Sequence, residues 1–258
     1  MLTDEGTQEE LAQRGWARLP SLDAASVSSL RSVVDDARLA LGKHGHSNHP
    51  GLDELWADRD AARRREIQRR IGAILAPSFA AWLSDSRAVL FNVWLKRPRS
   101  PRSSVSFHQD PAAVDERAGE VALQVWIPLV DVDAKSGALV VIERSHLDAT
   151  PIRPFGYTHP LALQPVDDRA RGAVQPTLRE GDAIVFTNRT LHGSTANVGD
   201  VERPAIGAML APRGVPLVQW RLVSPERAEL WAVDDDGFFD LAASQLPAGA
   251  RKIDTVQR

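Results

Sequence analysis

The chain has no cysteine. That excludes disulfides, thiolate nucleophiles, zinc fingers and iron–sulfur clusters. No apolar run approaches the ~18 residues of a membrane span. The opening, MLTDEGTQEELAQRG, is acidic and polar, unlike the basic and then apolar start of a signal peptide. There is no basic excess: 31 Lys and Arg face 34 Asp and Glu, for a net charge of −3. Nucleic acid and membrane are therefore not expected as partners, and the protein reads as soluble and cytoplasmic. Internal repeats and low-complexity segments are also missing. What remains is ordinary globular composition, 43% apolar and 25% charged over 258 residues. That length allows one large or two small domains at ~150 residues each.

The first third reads as helical. Thr3 or Asp4 can cap a first helix, and GWARLP from Gly15 is a short extended piece. Ser21 can cap a second helix, in which Leu22, Val27, Leu30, Val33, Val34 and Ala37 recur at helical spacing up to Leu41–Gly42. A loop holding His44, His46 and His49 follows, then a basic helix from Arg59 to Leu75 and a further piece at Ala80–Leu83 beyond Pro77. From Arg87 short strands with glycine and polar turns take over, as in a sandwich or barrel. The segments AVLFNVWLK, SVSFHQD, EVALQVWIPLV, ALVVI, AVQPTL, DAIVFT, PAIGAMLAP and PLVQWRLV supply them. The final stretch is expected as a short helix and a loose tail. The expected whole is one domain over 1–258, with helices over about 1–86, a β-core over about 87–222 and a tail over about 223–258.

SFHQDPA, at Ser106–Ala112, places His108 and Asp110 on one face of a strand by the period of two. Two histidines and one carboxylate on one octahedral face hold Fe(II) in many oxygenases and leave the opposite face open. Of the seven histidines, three share the loop at 44–49, His159 lies in a proline-rich loop, and His146 follows a strand end. His192, after the strand DAIVFT, is the candidate third ligand, with a Gly–Ser turn expected behind it. Arg203 opens the next strand, and an arginine suits bidentate capture of a carboxylate. Ser194 can add a hydroxyl on the face of His192. A metal triad followed by arginine suggests a co-substrate that chelates at one end and carries a carboxylate at the other, the shape of 2-oxoglutarate. Taken singly, each of these residues has a plainer role in a turn, a core or a surface pair.

Together these segments resemble the phytanoyl-CoA dioxygenase-like (PhyH) family of Fe(II)/2-oxoglutarate-dependent oxygenases. GWARLP, FHQD, LQVWIPLVDVDAKSGALVVIERSH and LREGDAIVFTNRTLHGSTANVGDVERPAI carry the likeness, from about residue 3 to 212. ERSH stands where the family has Pro-Gly-Ser-His. The resemblance implies a mainly β fold with N-terminal helices, its core a double-stranded β-helix (jelly-roll, cupin-like). It implies Fe(II) at His108, Asp110 and His192, and 2-oxoglutarate at Arg203 and Ser194, with O2 as oxidant. Trp126 falls where the family has a tryptophan beside the co-substrate, and Gln124 shares its strand face. Asn92, which shares a face with Trp94 and Lys96, is a further pocket-lining candidate. Because Asp110 is present, hydroxylation is expected over the halogenation seen where that ligand is a small residue.

The implied reaction is hydroxylation of an unactivated C–H in a small biosynthetic metabolite, with release of succinate and CO2. Desaturation, epoxidation or cyclisation are the alternative outcomes. A cupin-like metalloprotein without 2-oxoglutarate, a zinc protein and a non-enzymatic relative are the rival readings. Lys96, Arg97, Arg99 and Arg102 form a basic run before the motif. It is either a solvated loop or a sign of an anionic substrate or an acidic carrier protein.

Overall fold

The computed structural model describes residues 1–44, 50–58, 60–154, 172–235, 246–247 and 249–257. His46, His49, His159 and parts of the loops 43–60 and 147–173 lie outside the described residues. The protein is mainly β with N-terminal helices, and its core is a double-stranded β-helix. The helices are α1 (Glu5–Arg14), α2 (Ala24–His44) and α3 (Ala61–Trp82). The strands are β1 (Trp16–Leu19), β2 (Leu52–Glu54), β3 (Ser86–Lys96), β4 (Val105–His108), β5 (Leu123–Pro128), β6 (Leu139–Ile142), β7 (Ala173–Val174), β8 (Ala183–Thr187), β9 (His192–Ser194), β10 (Arg203–Pro212), β11 (Leu217–Ser224), β12 (Arg227–Val233) and β13 (Arg251–Gln257).

Among the described residues three antiparallel sheets result. The largest runs β1-β8-β5-β10-β3-β2, the second β4-β9-β6-β7, and the third β11-β12-β13. The outer face of the large sheet packs on the helices. Leu30, Val33, Ile71 and Leu75 meet Val93, Leu95, Val125 and Ile206 in the main core. Its inner face looks toward the second sheet, and Trp16, Trp126, Leu139, Val141 and Ile184 form a separate apolar cluster between them.

Several local expectations need correction. Asp4 caps α1, accepting from Thr7 N at 2.8 Å. The residue that caps α2 is Asp23, which accepts from Ser26 N at 2.7 Å, whereas Ser21 donates to Asp182. No break occurs at Pro77: α3 runs through it to Trp82. Proline removes one helical hydrogen bond, but Phe79 and Trp82 bury on the same face as Leu75, and Phe79 stacks on Phe91 at 6.1 Å. Tertiary packing outweighs that loss. The stretch after His192 is itself a strand, β9, rather than a turn. The C-terminal stretch holds β12 and β13, not a helix and tail, and β11 pairs with them instead of joining the two facing sheets. Alternation of buried Ala228 and Leu230 with more exposed Arg227, Glu229 and Trp231 is a strand pattern, and a register shift after Leu230 brings Val233 inward. This third sheet supports the segment after Asp110: Val218 N donates to Ala113 O at 2.9 Å, and Trp220 packs with Ala112.

Candidate metal centre and co-substrate pocket

His108 ends β4 and His192 opens β9, and the two are direct cross-strand partners. Their rings lie 4.2 Å apart. Asp110 reaches both from the turn beyond β4, with Oδ1 3.9 Å from His108 Nε2 and Oδ2 3.9 Å from His192 Nε2. One ligand atom from each of the three lies within 4.8 Å of the others. Both Nδ1 atoms face backbone carbonyls two residues earlier, Ser106 O at 2.9 Å and Thr190 O at 3.0 Å. A carbonyl only accepts, so each Nδ1 carries the proton and each Nε2 presents its lone pair to the centre. Burial, and next the nearby His108, push the His192 pKa down to about 4. His192 is therefore neutral at neutral pH, the form that binds metal. Asp110 Oδ2 is buried without a hydrogen-bond partner. An unpaired buried carboxylate oxygen between two imidazole lone pairs is poorly satisfied unless a cation completes it. The donor set fits iron, and it fits zinc equally.

The surroundings hold this geometry. Arg153 Nε donates to Asp110 O at 2.9 Å, while its two terminal nitrogens donate to Glu116 at 2.7 and 2.6 Å. Both side chains of that ion pair are fully buried. Ser145 Oγ accepts from Leu191 N at 2.8 Å and donates to Ile142 O at 2.6 Å, so the Ser of ERSH fixes the residue before His192. His146 acts elsewhere, its Nε2 2.9 Å from Ala12 O.

The triad opens into a cavity of about 350 Å³ between the two sheets. Inward positions alternate along the large sheet. Leu90, Asn92, Trp94 and Lys96 come from β3, Gln124 and Trp126 from β5, and Arg203, Gly207 and Met209 from β10. Register aligns them in rows: Lys96 opposite Arg203, Trp126 and Asn92 flanking Gly207, and Gln124 opposite Met209. A Cβ on Gly207 would stand 2.1 Å from Trp94 Cζ3, so only glycine lets that indole lie across β10.

All eight sequence candidates line this one cavity: His108, Asp110, His192, Arg203, Ser194, Trp126, Gln124 and Asn92. Asn92 also has a local bond, its Oδ1 accepting from Trp56 N at 3.0 Å. Lys96 does not belong to a basic surface run. It is fully buried and donates to Ser194 Oγ at 2.7 Å. Burial, and next the charge of Arg203, push its pKa down to about 6. Arg203 is 2% exposed, and its Nε and Nη1 have no hydrogen-bond partner. Burial pushes its pKa down to about 9, and its guanidinium lies 5.5 Å over the Trp126 ring. A buried arginine whose charge adds to burial in driving the adjacent lysine toward its neutral form calls for an anion, which would hold both in their charged forms. The rest of the basic run is largely paired: Arg97 with Asp53 at 2.8 Å and Arg99 with Asp200 at 2.7 Å. Glu54 and Trp56 also line the cavity, from a segment that sequence reasoning left as loop. Period-two alternation along β3 does point to Lys96, but nothing in the pattern marks Glu54.

Residues 9–205 match the profile of the phytanoyl-CoA dioxygenase (PhyH) family. The chain belongs to that family. It is an Fe/2-oxoglutarate-dependent oxygenase of the PhyH type with a His-Asp-His triad candidate. No curated protein sequence matches this PhyH chain. Among solved structures it is similar to the non-haem α-ketoglutarate-dependent epimerase SnoN from nogalamycin biosynthesis, in complex with Fe3+, α-ketoglutarate and nogalamycin RO. That match has 22% identity and a TM-score of 0.55, covering 83% of this chain and 85% of the other. The carbocyclase SnoK of the same biosynthesis gives 20% identity and a TM-score of 0.57, over 83% and 86%. HygX from Streptomyces hygroscopicus, with nickel, 2-oxoglutarate and hygromycin B bound, gives 14% and 0.52, over 81% and 87%. At these identities the likeness establishes the fold of this PhyH chain.

Proposed function

We propose that this chain holds Fe(II) through His108, Asp110 and His192 and binds 2-oxoglutarate. In this reading it hydroxylates an unactivated C–H bond of a small metabolite: R–H + 2-oxoglutarate + O2 → R–OH + succinate + CO2. The observation that carries the proposal is one cavity lined by the triad and by Arg203, whose guanidinium has unpartnered nitrogens and stands directly opposite Lys96. A dicarboxylate that chelates metal at one end and ends in a carboxylate matches both features.

When bound, the iron supplies the oxidising chemistry and the co-substrate supplies two electrons by decarboxylation. The chain does the positioning. Arg203 and Lys96 receive the far carboxylate, and Ser194, already bonded to Lys96, adds a hydroxyl. Trp126 lies under the guanidinium and restricts it to one plane. Gln124 and Asn92 also line the cavity, Gln124 with an amide free among the described residues and Asn92 with the amide nitrogen left over from its bond to Trp56 N. The apolar walls from Leu90, Trp94 and Met209 exclude water from the reacting carbon.

We read residues 1–258 as one functional domain, because the main core joins Leu2 and the helices to Leu210. A second reading keeps the same C–H oxidation with a different outcome, such as desaturation, epimerisation or ring closure. The fold neighbours named as epimerase and carbocyclase favour keeping it. The test is anaerobic addition of Fe(II) and then 2-oxoglutarate, watching the visible charge-transfer band of the chelate. The band is expected in wild type, absent in His192→Ala and weakened in Arg203→Ala. Metal binding without a band in wild type sinks the co-substrate assignment and advances the zinc or cupin-like readings.

A further inference from the structure

The cavity wall also carries a carboxylate, of charge opposite to Lys96 and Arg203. Glu54, on edge strand β2, faces inward directly opposite Trp94 of β3. The Trp94 indole and His108 both lie close enough to the Glu54 carboxylate to favour its charged form, against the larger effect of burial. No Lys or Arg among the described residues pairs with Glu54. The neighbouring carboxylate on β2, Asp53, points the other way and is taken by Arg97. Trp56, Trp94 and Leu90 add apolar walls around it. Burial is the largest influence on Glu54 and raises its pKa, so the site strains against an isolated charge.

We propose that Glu54 is a substrate-recognition residue. It accepts a hydrogen bond from an ammonium or hydroxyl on the substrate, whose apolar ring lies against Trp56 and Trp94. The substrate class is then a ring-bodied small molecule with a hydrogen-bond-donating, non-anionic head group. This rests on the oxygenase reading only in assigning the Lys96–Arg203 pair to the co-substrate. Lys96 and Arg203 are occupied by that dicarboxylate and no other Lys or Arg among the described residues lines the cavity, so an anionic substrate meets Glu54 instead. A carboxylate placed beside Glu54 is repelled, and a buried donor left unpaired is costly, which gives the site its discrimination. Trp94 couples recognition to the sheet, because its ring is wedged over Gly207 while Glu54 is its cross-strand neighbour on β2.

Three probes share one ring and differ only in the head group: cyclohexylmethylamine, cyclohexylmethanol and cyclohexanecarboxylate. Each is titrated by calorimetry into full-length protein, both alone and loaded anaerobically with Fe(II) and 2-oxoglutarate. In loaded wild type the amine or the alcohol is expected to bind at least tenfold tighter than the carboxylate. Glu54→Gln should weaken the amine about tenfold, and Glu54→Leu should weaken both donors and narrow the gap to the carboxylate. A thermal melt and the charge-transfer band check that both variants are folded. The proposal is overturned if the carboxylate binds tightest to the loaded protein, if none of the three binds, or if Glu54→Leu leaves the order intact. Failure of the oxygenase reading has a separate signature: no band appears, while the carboxylate binds in a manner abolished by Arg203→Ala and indifferent to Glu54.

Discussion

Lys96 and Arg203 stand directly opposite each other on antiparallel β3 and β10, and both are buried. Burial beside Arg203 drives Lys96 toward its neutral form, which costs stability unless an anion lies between the two. Lys96→Met should therefore raise the melting temperature of the ligand-free protein. The same change should weaken 2-oxoglutarate at least tenfold, since a hydrogen bond to a charged group contributes about 1.5–3 kcal/mol. Differential scanning calorimetry with and without 2-oxoglutarate checks both signs. A variant that melts lower and binds normally would remove Lys96 from the pocket's function.

The same burial sets a pH dependence. Lys96 has a folded pKa of about 6 against an ordinary 10.5, and His192 about 4 against 6.5. Within each window the unfolded chain binds more protons than the folded one, so stability rises with pH. Metal-free protein should gain stability from about pH 4 to 6.5 through His192 and above about pH 6 through Lys96. Urea unfolding between pH 5 and 9 measures it. The deficit of wild type relative to Lys96→Met should shrink as pH rises, and a constant deficit would contradict the Lys96 assignment.

Arg153 ties the backbone of the segment carrying Asp110 to Glu116 in a fully buried ion pair. Removing one partner leaves the other charge uncompensated, at a cost of about 3–5 kcal/mol. Glu116→Gln should lose stability on that scale and also weaken Fe(II) binding, because Asp110 is no longer anchored. Denaturant midpoints and metal titration should move together; loss of stability with unchanged metal affinity would limit the pair to a structural role.

Gly207 has a different vulnerability. In Gly207→Ala the new methyl meets the Trp94 ring at 2.1 Å, and the indole must shift. Overpacking costs about 1–3 kcal/mol. Indole fluorescence should change and binding of the cyclohexyl amine or alcohol should fall, whereas Fe(II) affinity should hold. Unchanged fluorescence and binding would show that the ring has room to move.

The triad was legible because strand periodicity is local. His108 and Asp110 sit two apart, and His192 follows the apolar run DAIVFT that makes β8. Arg203 was legible for the same reason, at the head of a long apolar strand. The third sheet was not, because β12 and β13 are short and partly polar, and their burial comes from each other and from Trp220. The helix through Pro77 was misread as two pieces because a local breaker signal cannot weigh the packing of Phe79 against Phe91.

By itself the sequence determined the order of helices then strands, the His-Asp-His triad candidate and the arginine, from residue type and strand spacing, while the resemblance to the PhyH family implied the double-stranded β-helix. Only the tertiary structure decided the company those residues keep. It turned Lys96 from one charge in a surface run into a buried partner of Arg203 and Ser194. It brought Glu54 from an apparent loop to Trp94, and placed Arg153 and Glu116 behind Asp110. Those pairings join segments far apart in the chain, and register and burial, which no local pattern encodes, set which charges meet.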